Sequence, residues 1–191
     1  MPDLVYGLVG VHLSHRIESP EPARAARDHR PDACTLCHVD RSRSWAVQAS
    51  ARWYGARQHV AAQPELAEVT RMLFGGDPIE RAVAAHALGK PTAQLPSAEQ
   101  PRALGMLLDV LDVDAYPAVR RIAERSLRAR LAAERAELLP LLAAYSAELE
   151  PARRSEVLGP LRRALPSDYP AADARARLRA QAAEVAIEIG E

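Results

Sequence analysis

Gly76-Asp77-Pro78-Ile79-Glu80-Arg81-Ala82-Val83-Ala84-Ala85-His86-Ala87-Leu88-Gly89 and Asp114-Ala115-Tyr116-Pro117-Ala118-Val119-Arg120-Arg121-Ile122-Ala123-Glu124-Arg125-Ser126-Leu127 read as two variants of one unit. In each, a proline opens a helix with an aliphatic–alanine–leucine face. Asp77 can cap the first, Pro78 fits its first helical position, Glu80 can close a capping box, and Gly89 terminates it. Ile79, Val83 and Ala87 are expected to face inward there, as are Val119, Ile122, Ala123 and Leu127 in the second unit.

Each unit follows another leucine-containing helix. Leu66, Val69 and Leu73 lie on one face of Pro64 to Phe74, stopped by Gly75-Gly76. Ser97 and Gln100 form a second capping-box pattern before Leu104, Leu107, Leu108 and Leu111. The 39 residues from Pro78 to Pro117 suit HEAT-type helical pairs, which stack because one pair alone cannot cover its apolar stripe. A generic helical bundle is the alternative. Beyond the pairs, Pro140 breaks or bends a segment, and helices are expected from about Pro151 to Leu165 and Pro170 to Ile189. Met72 and Met106 read as packing residues. The expected fold is therefore mostly α, with an irregular N-terminal segment over 1–60 and antiparallel helical pairs over 61–191.

The N-terminal segment holds both cysteines of the 191-residue chain, in Cys34-Thr35-Leu36-Cys37-His38. C-x-x-C-H is the attachment pattern of covalent c-type haem: two thiols reach the two vinyl groups on one porphyrin edge, and the adjacent imidazole binds iron axially. A zinc half-site or a redox dithiol uses the same C-x-x-C. Zinc, however, lacks a second C-x-x-C or a downstream pair of closely spaced histidines, and nothing resembles the βαβ setting of a thioredoxin. Chance thiols on a loop remain the bland alternative.

With haem present, His38 is the proximal ligand. His15 is the first candidate for the sixth position and His12 the second; His29, His59 and His86 are weaker, His86 reading as a core histidine. Trp45, Ala49 and Trp53 form a stripe on a helix from Ser42 to Tyr54, ended by Gly55. Trp45 and Trp53 would cover a porphyrin or pin this helix to the repeats. Arg16, Arg41 and Arg43 are candidate partners for haem propionates.

The chain carries 25 basic and 25 acidic side chains and no net charge, which argues against nucleic acid or an anionic membrane surface as dominant partner. No run is long and apolar enough for a membrane span. Met1 to Leu13 lacks the basic start and small-residue cleavage site of a secretion signal. That sits awkwardly with haem attachment, which occurs outside the cytoplasm, unless the chain is part of a longer exported protein.

Ala33 to Ala46, followed by Trp53-Tyr54-Gly55, resembles a segment of large multihaem c-type cytochromes that carry HEAT-like repeats at their C-terminus. Tyr116-Pro117-Ala118-Val119-Arg120 resembles the signature within those repeats, and Ser14-His15-Arg16-Ile17 the His-Arg-Ile stretch before the haem motif. Met1-Pro2-Asp3-Leu4-Val5-Tyr6-Gly7 is similar to residues that follow an earlier haem motif, so the chain would begin just after it. The resemblance covers roughly residues 1–130 and departs from the family in haem count. It implies one covalent haem c, electron transfer, a periplasmic or other extracytoplasmic parent, and redox proteins or further haem domains as partners. Reduction of a nitrogen oxyanion rests on analogy alone and would need an open iron position. The reading from a different class is a haem-free helical-repeat interaction module whose cysteine pair is idle or redox-active.

Overall fold

The computed structural model describes residues 3–6, 10–13, 21–28, 30–55, 66–91, 93, 95–96, 100–165 and 172–184. The chain is mostly α-helical, with stacked, repeat-like helical packing. Two short strands, β1 (Asp3–Tyr6) and β2 (Gly10–Leu13), form an antiparallel hairpin in which Leu4 opposes His12. After it come α1 (Pro22–Arg27), α2 (Arg43–Tyr54), α3 (Glu68–Gly75), α4 (Pro78–Gly89), α5 (Gln100–Val113) and α6 (Pro117–Glu134). A 3₁₀ segment, Ala136–Leu142, precedes α7 (Pro151–Ala164) and α8 (Ala172–Glu184). Among the described residues no helix is long and apolar enough to cross a membrane.

Helices α3 and α4 form one antiparallel pair, α5 and α6 the next, and α4 lies along α6. Alanine makes that approach close: Ala82, Ala84, Ala85 and Ala87 are all buried, and a Cβ on Gly89 would come within 2.4 Å of the Ser126 Cβ. Leu73, Leu88, Leu107, Leu111, Leu127 and Leu131 all belong to one buried core cluster. Met72 and Met106 are buried as packing residues, with the Thr70 hydroxyl donating to the Met106 sulfur at 3.5 Å. The hairpin lies against α4, although its sequence carries no pattern that announces strands.

The capping box at Asp77 is present. Asp77 Oδ1 accepts from the Ile79 and Glu80 amides at 2.7 and 2.8 Å, and Glu80 Oε2 accepts from the Asp77 amide at 3.3 Å. Ile79, expected inside, is 57% exposed. In that first turn Glu80 takes the buried side to pair with Arg71, and the isoleucine is left outside. The second leucine helix begins at Gln100, while Ser97 lies outside the described residues. Pro140 sits within the 3₁₀ segment, where an α-helical hydrogen bond would have failed.

A third unit joins the two seen in the sequence. Arg81, Arg120 and Arg154 each stand three residues after a helix-opening proline, Pro78, Pro117 and Pro151. In all three, Nη1 donates to a carbonyl of the loop behind the helix: Gly76 at 2.8 Å, Asp114, and Leu149 at 2.8 Å. In all three, Nε reaches sideways: Arg81 to Asp114 Oδ2 at 2.7 Å, Arg120 to the Ala147 carbonyl at 2.8 Å, Arg154 to the Asp112 carbonyl at 3.0 Å. A guanidinium offers five donors in a fixed fork, so one side chain can serve two acceptors: both are loop carbonyls at Arg120, whereas the second is the Asp114 carboxylate at Arg81 and a carbonyl of the last turn of α5 at Arg154. Tyr145 adds a fourth tie, its buried hydroxyl donating to the Leu111 carbonyl at 3.0 Å.

The last helix folds back. α8 packs on α3, with Leu178 against Gly75 and the Arg179 guanidinium 5.4 Å from the Phe74 ring centre. Arg175 of α8 and Arg162 of α7 both pair with the buried Asp109 of α5.

Adjacent arginines separate these roles. Arg120→Met removes hydrogen bonds from two buried carbonyls and should cost about 2–3 kcal/mol in urea denaturation. Arg121→Met breaks only an exposed pair with Glu148 and should change stability by less than about 0.5 kcal/mol.

Candidate functional site

The Cys34-x-x-Cys37-His38 segment folds as consecutive tight turns between α1 and α2. The His38 amide donates to the Cys34 carbonyl at 2.8 Å, the Cys37 amide to the same carbonyl at 3.2 Å, and the Leu36 amide to Asp32 at 3.2 Å. These are helical-turn bonds, so residues at i, i+3 and i+4 share one side. Cys34, Cys37 and His38 occupy those three places and are all half-buried. Thr35, Leu36 and Val39 take the other side and are buried, Val39 at 2% exposure. The turn is thus anchored by its apolar side and presents two sulfurs and one imidazole on the other.

Asp32 holds the turn's start. Its buried carboxylate accepts from the Cys34 amide at 2.9 Å, the Thr35 amide at 3.1 Å and the Thr35 hydroxyl. An Asp followed three positions later by Thr is the trace of this capping arrangement. Burial, and after it the Asp32 charge and hydrogen bond, push the Cys34 thiol up from 9.0 to about 11. A thiol so held is a poor nucleophile at neutral pH, which weighs against a redox dithiol. The two cysteines form no disulfide. Among the described residues no three His, Cys, Asp or Glu side chains gather as a metal-ion chelate.

Trp45 flanks His38, with ring centres 4.9 Å apart and planes inclined at 55°. Ser42 caps α2 by accepting from the Trp45 amide at 3.2 Å, and so fixes the indole beside the imidazole. Trp53 is 68% exposed and pins nothing to the repeats. The helix buries Arg43, Ala46 and Val47 instead of the Trp45–Ala49–Trp53 stripe, because it is tied down at its N-terminal end. There Ser42 pairs with Ala67, and the Glu68 amide donates to the Arg41 carbonyl at 2.9 Å. α3 starts only at Glu68 for the same reason: Ala67, expected within the helix, is used for this bridge.

Arg43 is a correction. Expected as a propionate partner, it is 6% exposed and pairs with Glu68 at 2.5 Å. Glu68 also accepts Arg71 at 2.8 Å, and Arg71 reaches Glu80 at 3.0 Å. This relay runs from α2 through α3 to the capping box of α4. Arg41 stays at the surface, 5.7 Å from the Trp45 ring centre and paired with Asp40.

The candidate sixth ligands fare differently. His15, His29, His59 and Arg16 lie outside the described residues. His12, on β2, is exposed and lines a cavity with His86 of α4; Cys34, Cys37 and His38 are not among that cavity's walls. His86 is half-buried rather than a core residue.

Chemically, the donor set suits haem c. Two sulfurs at i and i+3 and an imidazole at i+4 stand together on the accessible side of a pinned turn, and the neighbouring aromatic ring can exclude water from a bound macrocycle. No family model, curated protein or solved structure compared with this chain matches it.

Folding disfavours the Cys34 thiolate, so this group leaves stability unchanged below pH 9.0 and subtracts from it as pH rises towards about 11. In a Cys37→Ser background without haem, iodoacetamide should label Cys34 at pH 8 roughly a hundredfold more slowly in the folded chain than in urea. Asp32→Asn, which keeps an acceptor oxygen but removes the charge, should speed the folded-state reaction.

Proposed function

We propose that the chain is an electron-transfer segment of a c-type cytochrome, carrying one covalent haem c on Cys34 and Cys37 with His38 as proximal axial ligand. The observation that carries this reading is that those three residues stand at i, i+3 and i+4 of a hydrogen-bonded turn and are partly exposed, whereas Thr35, Leu36 and Val39 are buried. Bound there, haem would supply a one-electron ferrous–ferric couple. The chain's own residues position it: Asp32 and Thr35 hold the turn, Leu36 and Val39 seat it on the helical stack, and Trp45 orients the His38 ring. His15 is the proposed sixth ligand.

The recurring Pro-x-x-Arg loops support assigning the helical pairs to the HEAT-like class. In this reading the stack is a platform for redox proteins or for further haem domains of a larger protein. The site of action is extracytoplasmic, where covalent haem is attached.

The deciding experiment is expression with an export leader in a host competent for cytochrome maturation. The expected product has the mass of polypeptide plus one haem, keeps its colour after acid–acetone extraction, and shows a ferrous c-type spectrum. Cys34→Ala/Cys37→Ala should yield colourless protein, whereas His38→Ala should alter the ligand-field bands of any haem it retains. Bare polypeptide mass for the unaltered chain would remove the cytochrome reading and leave the helical interaction module.

A further inference from the structure

The contact of α8 with α3 differs in kind from the contacts between the helical pairs. Where α4 meets α6, both helices bury alanine and larger aliphatic side chains. Along Ala172–Glu184, by contrast, Leu178 is the only apolar side chain larger than alanine. It rests on Gly75, where a Cβ would come within 3.1 Å of the Leu178 carbonyl oxygen and 3.5 Å of the Leu178 Cβ. Two guanidiniums supply further contacts. Arg175 pairs with Asp109, and Arg179 lies over the ring of Phe74, a residue only 3% exposed.

Asp109 of α5 is the pivot. It is buried and accepts two guanidiniums: Arg175 of α8 at Oδ2, and Arg162 of α7 at Oδ1 over 2.7 Å. Arg162 also reaches Asp112 at 2.8 Å, so its place does not depend on α8. Removing one partner of a buried ion pair ordinarily strands the other charge. Here Asp109 keeps Arg162 when Arg175 leaves. Burial holds the Arg179 guanidinium below its ordinary pKa, against the pull of Asp109, so its charge is better solvated off the stack. A freed helix of 13 residues is marginal in water, so detachment also releases its backbone hydrogen bonds.

We propose that α8 is a detachable strap: it leaves α3 and α5 as one unit while the stack from α3 to α7 stays folded, and Arg162 holds Asp109 in the open state. The opened face carries Phe74 and Asp109. Sharing one carboxylate gives the two arginines opposite roles. Arg175 keeps the strap closed, whereas Arg162 lowers the cost of opening. Taking Arg162 away makes Asp109 more dependent on Arg175 and so tightens the strap. This device does not depend on haem attachment, since it shares no residue with the Cys34–His38 turn.

The test is amide hydrogen exchange of the full chain, read by mass spectrometry of overlapping peptides from α8 and α6. Opening as a unit should let the α8 amides exchange together, at least roughly a hundredfold faster than those of α6. Leu178→Ala should speed α8 exchange by roughly tenfold and Arg175→Gln by roughly threefold, with α6 unchanged. Arg162→Gln should slow α8 exchange relative to the unaltered chain. If a variant fails to fold, the contrast between α8 and α6 in the unaltered chain decides alone. Equal protection of the two helices would overturn the proposal. So would protection that declines residue by residue towards Glu184, which is fraying, or faster α8 exchange in a folded Arg162→Gln chain.

Discussion

A guanidinium three residues into a helix, gripping the loop behind it and the element beside it, is the contact on which this architecture rests. It occurs at Arg81, Arg120 and Arg154, always behind a proline that opens the helix. The geometry answers a specific difficulty of stacked helical pairs. Each pair needs a tight connection, each connection leaves carbonyls pointing into the stack, and buried carbonyls without donors are costly. Each arginine ties one such connection to the neighbouring element, and Arg120 serves the carbonyls of two connections at once. Among the described residues no buried side-chain nitrogen or oxygen lacks a hydrogen-bond partner, so these cations enter the interior fully engaged.

The same economy couples the cysteine turn to the stack. Arg43, Glu68, Arg71 and Glu80 pass a continuous line of charge-assisted contacts from α2 to the cap of α4. Breaking one member would strand a buried partner, which makes the line more consequential than any exposed pair on the surface. A prosthetic group on Cys34 and Cys37 would therefore be held on a rigid base even though its anchoring residues belong to a turn. On the proposed cytochrome reading, such a base would keep the distance to a redox partner constant.

How much was legible in the sequence depended on how local the deciding interaction is. The capping box at Asp77, the left-handed Gly55 that ends α2, the proline starts and the break around Pro140 are settled within a few residues, and all could be read directly. The third arginine unit escaped notice because only Pro151 and Arg154 repeat; its aliphatic pattern differs, and its partner helix is replaced by a 3₁₀ segment. The Trp45–Ala49–Trp53 stripe misled because hydrophobic spacing says which residues could face a core, not where the chain on either side is tied. The β-hairpin was illegible for a similar reason, since two four-residue strands carry too little alternation to stand out. In the site, the grouping of Cys34, Cys37 and His38 was evident from spacing, whereas Asp32, Glu68 and the meeting of His12 with His86 depend on chain segments brought together by folding.

The return of α8 across α3 has a consequence for assembly. Arrays of this kind have two open ends, and an uncovered first helix invites another copy to add on, link after link. Here Leu178 and Arg179 occupy that surface from within the same chain. On this side the stack is closed by a helix of its own sequence, so with α8 in place α3 offers that face to nothing else.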